Sequence, residues 1–379
     1  MSSPEDTVQL IDIIDKNMKR VRTKSLDISF NELLDMYVNG ELIIDPDYQR
    51  NFQWSNEKMS RFIESLILEM PIPPIFVVEI EDGKYELIDG LQRLSSYFYF
   101  RGKLSAPEHD PTILAGDYLK LIGCDIVEEL NGKTFEDLGT AIQIRLKRYF
   151  IRIEVVRKES DMRLKYHMFK RLNTGGENLS PQQIRNCTIK LLNDTFNKFL
   201  IDMSKDECFK FCTQNITDKQ RREAFDQELV LRFFAFKNNR NEFLHDIAEF
   251  LTDYMEKVSD PRNGDLAFSY GDEKKIFEKT FCLLQKTLGK HAFSYMTKNN
   301  SYVSSFSALQ FEVFTLGIQS SLDKIDLDNV SQISDLKTLF DEVKKNSTFK
   351  ELSTGGGKNS AGQLKKRVEF LQRKVEAIL

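Results

Sequence analysis

The sequence predicts an α+β N-terminal part followed by a mainly α-helical part, and three observations carry that expectation. "IFVVEI" and "YELI" flank "EDGK", the pattern of two strands joined by a short glycine-containing turn. "RYFIRIEVV", residues 148–156, alternates apolar and polar side chains as a half-buried strand does. Beyond about residue 195 the pattern changes to long amphipathic stretches rich in phenylalanine. A chain of 379 residues, 41% hydrophobic and 30% charged, is long enough for two cores rather than one. The expected domains are therefore residues 1–195 and 196–379.

The elements follow in order. "SNEKMSRFIESLILEM" spaces Met59, Phe62, Ile63, Leu66 and Met70 as one helical face, with Ser55 as N-cap and Glu57 in the first turn, and Pro71, Pro73 and Pro74 stop it. The hairpin comes next, and a helix opens directly after Gly90. Residues 104–116 read as irregular, 148–156 as a strand and 160–172 as a helix. In the second half, "NEFLHDIAEFLTDYMEKV" places Phe243, Leu244, Ile247, Phe250, Leu251, Tyr254, Met255 and Val258 on one stripe. "DQELVLRFFAF" and "KIFEKTFCLLQKTL" carry looser stripes, and "STGGGKNSAG" reads as a connector to a last helix.

Several function classes are disfavoured. The first twenty residues are acidic and polar, and no run of about 18 uncharged apolar residues occurs, so a soluble cytoplasmic chain with no membrane partner is expected. The five cysteines form no CxxC pair and only four histidines accompany them, which supports neither a zinc module nor a disulfide framework; Cys208 and Cys212, one helical turn apart, read as packed thiols. The glycine run fails as a phosphate loop, because Leu352 stands where the first glycine belongs and Asn359 follows Lys358. No GxSxG elbow occurs, and His109, His167, His245 and His291 are scattered rather than clustered for metal-dependent nuclease chemistry. Net charge is -4, yet Arg145–Arg171 holds ten basic residues against three acids. That stretch is either a solvated face or a surface for polyphosphate or nucleic acid, with Lys165 and Lys170 as candidate DNA contacts.

Three polar junctions remain. In "IIDPDYQRNFQWS", Tyr48, Gln49, Arg50 and Trp54 form a polar and aromatic cluster, whose simpler reading is a turn with the only tryptophan anchoring a core. In "YELIDGLQRLSSYF", Asp89, Gly90, Gln92 and Arg93 stand where a strand runs into a helix, an anion-friendly set at a helix N-terminus; the simpler reading makes Asp89 an N-cap and Arg93 a structural ion pair. In "FKRLNTGGENLSPQQIRN", helix capping accounts for Ser180, Pro181 and Gln183 but not for Arg171, Asn173, Gly175 or Gly176.

These motifs, together with "FIESLILEMPIPPIFV" and in this order, resemble the N-terminal domain of GmrSD-type, modification-dependent type IV restriction endonucleases and of related phage-defence proteins. The resemblance covers residues 25–195 and continues more weakly into "ELVLRFFAF". It implies a ParB/sulfiredoxin-like fold and a DGQQR motif tied to binding and hydrolysis of nucleoside triphosphates. Here the motif stands as Asp89, Gly90, Leu91, Gln92 and Arg93, with leucine in place of the first glutamine. It also implies a second, histidine-containing nuclease domain, but the C-terminal half has no matching histidine cluster. Cleavage would then come from a partner nuclease or other defence-system protein, or from the ParB-like domain itself, or not occur.

Taken with the resemblance, the leading expectation is a nucleotide-binding and NTP-hydrolysing sensor or regulator in DNA restriction or phage defence. Asp89, Gln92 and Arg93 would be catalytic, Asp89 would hold Mg²⁺, and Tyr48, Gln49, Arg50, Gly90, Arg171, Asn173, Gly175 and Gly176 would bind the nucleotide. The alternatives are a ParB-like Mg²⁺-dependent nuclease using Tyr48, Arg50, Asp89 and Arg93, and a non-catalytic DNA-binding or adaptor protein.

Overall fold

The computed structural model describes residues 22–44, 54–107, 111–160, 180–190, 192–260, 268–297, 301–353 and 360–379, together with Met168. The chain divides into two compact units, Met1–Gly176 and Glu177–Leu379. Among the described residues no helix is long and apolar enough to cross a membrane.

In the first unit, β1 (Thr23–Ser29) runs into α1 (Phe30–Val38), where the Ser29 hydroxyl accepts from the Glu32 amide as N-cap. The short β2 (Leu42–Ile43) precedes α2 (Asn56–Ile67), capped by Ser55 as the sequence predicts. β3 (Ile75–Glu81) and β4 (Lys84–Asp89) form the predicted hairpin, with Gly83 at φ +76° in its turn. α3 (Leu91–Phe100), α4 (Thr140–Arg148) and β5 (Phe150–Val156) complete the α+β unit. The five strands form one mixed sheet in the order β1-β5-β3-β4-β2, with β3 parallel to β5 and antiparallel to β4. Alternation in β5 works as read: Ile151, Ile153 and Val155 are buried, while Arg152 faces solvent and pairs across the strands with Asp27. The core joins these to Val77, Leu87, and Phe30, Ile63, Leu66, Leu94 and Tyr97 of the helices. Because β3 and β4 run antiparallel, Phe76 lies opposite Asp89, so the start of β3 sits beside the end of β4. That register places the site.

The second unit is helical: α5 (Pro181–Ile189), α6 (Asp194–Met203), α7 (Glu207–Cys212), α8 (Asp218–Arg222), α9 (Phe225–Asn239), α10 (Ile247–Ser259), α11 (Tyr270–Thr287), α12 (Ala308–Leu316), α13 (Val330–Lys345), α14 (Ser347–Ser353) and α15 (Ala361–Glu376). α9 is buried on every side from Leu229 to Phe236, where Arg232 is the one charged residue in an otherwise apolar run. The predicted stripe from Phe243 is two elements: α10 opens at Ile247 under an Asp246 cap, Phe243 packs against Phe236 and Phe250 from outside the helix, and Leu244 is 73% exposed.

Two sequence-based expectations change. The boundary near residue 195 lies beyond α5, whereas the division by contacts precedes α5, because Arg185 of that helix reaches Glu228 (2.7 Å), the Ala248 carbonyl (3.2 Å) and Thr252 (3.4 Å). The absence of disulfides is also overturned, since Cys208 is bonded to Cys282 with Cα atoms 5.2 Å apart. Phe209 packs tilted against Phe277 and edge-on against Phe281 and thereby brings α7 against α11, a contact between residues too far apart in sequence for any spacing rule. Cys212 is buried and packed as expected, and burial raises its thiol to about 12.

A chain of buried charges crosses this unit. Arg185 pairs with Glu228, Glu228 with Arg232 (3.2 Å), Arg232 with Glu312 (2.8 Å) and Glu312 with Arg367 (2.6 Å). Glu312 is 2% exposed and holds one guanidinium on each oxygen. Glu312→Gln should therefore leave two buried cations undercompensated and lower unfolding stability by about 3–5 kcal/mol. Urea denaturation read by far-UV circular dichroism measures this, and a loss below about 1 kcal/mol would contradict the pairing.

Candidate functional site

The site is built where β4 hands over to α3. Gly90 has φ +111°, a region that L side chains rarely adopt, and a Cβ there would stand 2.8 Å from Ile75 Cγ1 at the start of β3. Conformation and space both require glycine. As N-cap of α3 it offers no side-chain oxygen to the first-turn amides, so the positive end of the helix carries no side-chain cap. Its carbonyl accepts from the Leu94 amide at 3.0 Å and starts the helix.

Arg93, one turn into α3, folds back onto the strand ends. Its Nη2 donates to Asp89 Oδ2 at 2.9 Å, and its Nη1 donates to the carbonyls of Pro73 and Pro74, the latter at 3.1 Å. A proline contributes a carbonyl and no N–H, so two in succession present acceptors that a planar guanidinium can satisfy. The side chain is 12% exposed, whereas that of Asp89 is 42% exposed. Burial draws the Arg93 guanidinium below its ordinary pKa, and the adjacent Asp89 charge and hydrogen bond oppose that shift. Arg93 thus makes the ion pair that the simpler sequence reading expects and a backbone clamp that it does not, whereas the N-cap is Gly90 and not Asp89, which ends β4.

Gln92 turns elsewhere. Its Oε1 accepts from the Trp54 amide at 3.1 Å, which joins the end of the first polar junction to the second. The Trp54 ring meets Phe62 edge-on at 5.8 Å and lies 4.9 Å below the Lys58 ammonium, so it also anchors on the core. Sequence reading singled out both Trp54 and Gln92 but not the contact between them. It also took Pro73 and Pro74 only as helix stops, although three prolines immediately before a buried strand already signal carbonyls that need donors.

Asp89, Gly90, Gln92 and Arg93 are therefore brought together, while Tyr48, Gln49, Arg50, Lys165, Lys170, Arg171, Asn173, Gly175 and Gly176 lie outside the described residues, as does most of the predicted 160–172 helix. Among the described residues no group of three or more His, Cys, Asp or Glu side chains could hold a metal ion. Asp89 alone supplies a half-exposed carboxylate, which fits Mg²⁺ when substrate phosphates and water complete the shell.

The described part of the basic stretch is largely neutralised. Arg145 pairs with Glu69 (3.4 Å), Arg152 with Asp27 (3.0 Å), Arg157 with Glu79 (2.9 Å) and Glu159 (3.6 Å), and Lys158 with Asp82. Lys147 sits 5.6 Å from the Phe135 ring. These residues do not make a continuous positive face, because Glu69 just beyond α2, Asp27 of β1, Glu79 of β3 and Asp82 of the hairpin turn each stand against one of the paired cations.

No curated protein and no solved structure matches the chain. Residues 30–190 match the family model described as GmrSD restriction endonuclease, N-terminal domain, a segment that begins with α1, contains the whole β4–α3 turn and ends just after α5. That segment of the chain belongs to the GmrSD N-terminal domain family.

Proposed function

We propose that the protein is a restriction or phage-defence component whose first unit binds, and hydrolyses, a nucleoside triphosphate at the β4–α3 turn. The GmrSD N-terminal domain supports the defence context. The observation that carries the nucleotide reading is the glycine-capped start of α3, with no side-chain cap, beside the half-exposed Asp89 carboxylate. In this reading the first-turn amides of α3 hold phosphate oxygens, and Asp89 holds Mg²⁺, which supplies charge neutralisation for phosphoryl transfer. Water attacks the terminal phosphorus, the bond to the bridging oxygen breaks, the nucleoside diphosphate leaves, and the proton of the water goes to the released phosphate. Arg93 keeps Asp89 oriented by a hydrogen bond that leaves the other carboxylate oxygen for a metal. Tyr48, Gln49, Arg50, Arg171, Asn173, Gly175 and Gly176 complete the nucleotide pocket, and the unit takes the ParB/sulfiredoxin-like arrangement that the motif resemblance implies.

A thermal-shift screen of the four ribonucleoside triphosphates with Mg²⁺ tests the reading. Ligand at about 100 times its Kd should add about 2.7 kcal/mol of stability. Asp89→Asn, which can still accept from Arg93, should lose the Mg²⁺-dependent part of the shift while the unliganded melting temperature stays near wild type. No shift with any of the four in wild type removes the nucleotide reading.

Arg93→Ala should do more than stop turnover. It leaves two carbonyls and a carboxylate without their donor, so unfolding stability should fall by about 2 kcal/mol. Chemical denaturation of the variant checks this, and unchanged stability would mean that the clamp holds nothing.

DNA contact is proposed through Lys165 and Lys170, since the other cations described along the stretch are mostly paired. Replacing both by glutamine should flatten the log-log salt dependence of DNA affinity by up to about two units. Fluorescence anisotropy with a short duplex measures the slope, and an identical slope in the variant excludes both lysines.

A further inference from the structure

The amide side chain of the turn is engaged with the backbone that leads into α2. A glutamine that orients an attacking water accepts a hydrogen bond from that water at its carbonyl oxygen. In this protein Gln92 Oε1 already accepts from the Trp54 amide, across 38 residues of sequence. That amide needs an outside acceptor, because Trp54 precedes Ser55, the N-cap of α2, and lies beyond the helix's own hydrogen-bond ladder. The Trp54 ring is fixed independently by Phe62 and Lys58. Backbone and side chain of one residue are thus held from two directions, and the backbone hold comes from α3.

We propose that Gln92 is a positioning residue: it latches Trp54, the last residue of the "PDYQRNFQW" stretch, to the N-terminal turn of α3. The consequence for catalysis rests on the nucleotide reading; the latch does not. Gln92 occupies the second position of α3, next to Arg93, which clamps the same turn to the strand ends. The two side chains divide the work. Arg93 fixes the turn to the sheet, and Gln92 fixes the Trp54 backbone, just ahead of α2, to the turn. Because the chain contains a single tryptophan, its emission reports this latch without interference.

The test compares Gln92→Met, which removes the acceptor at similar volume, with Gln92→Glu, which restores one. Acrylamide quenching of tryptophan emission in ligand-free full-length protein should rise by about twofold in the methionine variant and return close to wild type in the glutamate variant. Melting curves confirm that both variants are folded. With each Mg²⁺-bound ribonucleoside triphosphate, the methionine variant should raise KM by about tenfold, the factor that corresponds to one ordinary hydrogen bond. Glutamate should recover much of that loss. Unchanged quenching in a folded methionine variant overturns the latch, as does a fall in kcat alone with KM and quenching at wild-type values, which returns Gln92 to the role of orienting water. If the wild-type protein turns over no nucleotide, the quenching comparison still decides the latch while the nucleotide reading fails by itself.

Discussion

The first unit depends on the contact between one guanidinium and three oxygens. β3 begins after two prolines whose carbonyls have no strand partner, and β4 ends in a carboxylate at the same edge of the sheet. Arg93 satisfies all of them from the first turn of α3. A lysine ammonium is a point charge on a flexible stem and would not hold three acceptors in one plane. The clamp has a steric counterpart, because Gly90 lets α3 start against Ile75 where any Cβ would intrude. Together they fix the angle at which α3 leaves the sheet and the direction of the Asp89 carboxylate, so the turn is preorganised before any ligand arrives.

The helical unit meets a related constraint with a longer chain of ions. Arg185, Glu228, Arg232, Glu312 and Arg367 alternate in sign through α5, α9, α12 and α15, and all are buried or nearly so. Buried ion pairs contribute little net stability compared with apolar packing, but they penalise every arrangement in which a partner is missing. Arg185 makes the point concrete: it lies inside the segment matched by the family model, yet its polar partners beyond α5 are Glu228, Ala248 and Thr252 of the helical unit. Cutting the chain after residue 190 would strip that side chain of the carboxylate that compensates it. The family segment and the compact unit therefore do not share a boundary, and the helices beyond residue 190 are part of what folds its last element.

Where one residue pattern decided the outcome, the sequence was legible. Ser55 before Met59, Phe62 and Ile63 specified α2 and its cap, "EDGK" specified the hairpin, and alternation specified β5, because each depends on neighbours within a few residues. That Arg93 forms an ion pair was legible in the simpler of two readings, but its partner was not, because that reading made Asp89 the N-cap, a place Gly90 takes. What was hidden is non-local. Nothing near Cys208 announces Cys282, nothing near Gln92 announces Trp54, and the acids that neutralise Arg145, Arg152 and Arg157 arrive from other strands and helices. A run of charge in sequence is a statement about composition, and only the sheet register turns it into a statement about a surface.

The unequal exposure of the ion pair bears on which ligand the turn favours. Arg93 faces inward at 12% exposure and Asp89 outward at 42%, so solvent meets the carboxylate rather than the cation. Beside that negative group stands the uncapped positive end of α3. A bare phosphate gains from the helix and is repelled by Asp89; a lone divalent cation gains from Asp89 and is repelled by the helix. A metal-bound polyphosphate presents both signs in the matching order, with the cation against the carboxylate and the oxygens against the amides. Under the nucleotide reading proposed above, the turn's electrostatics therefore favour the metal complex over either component, and they do so through the very contact that buries Arg93.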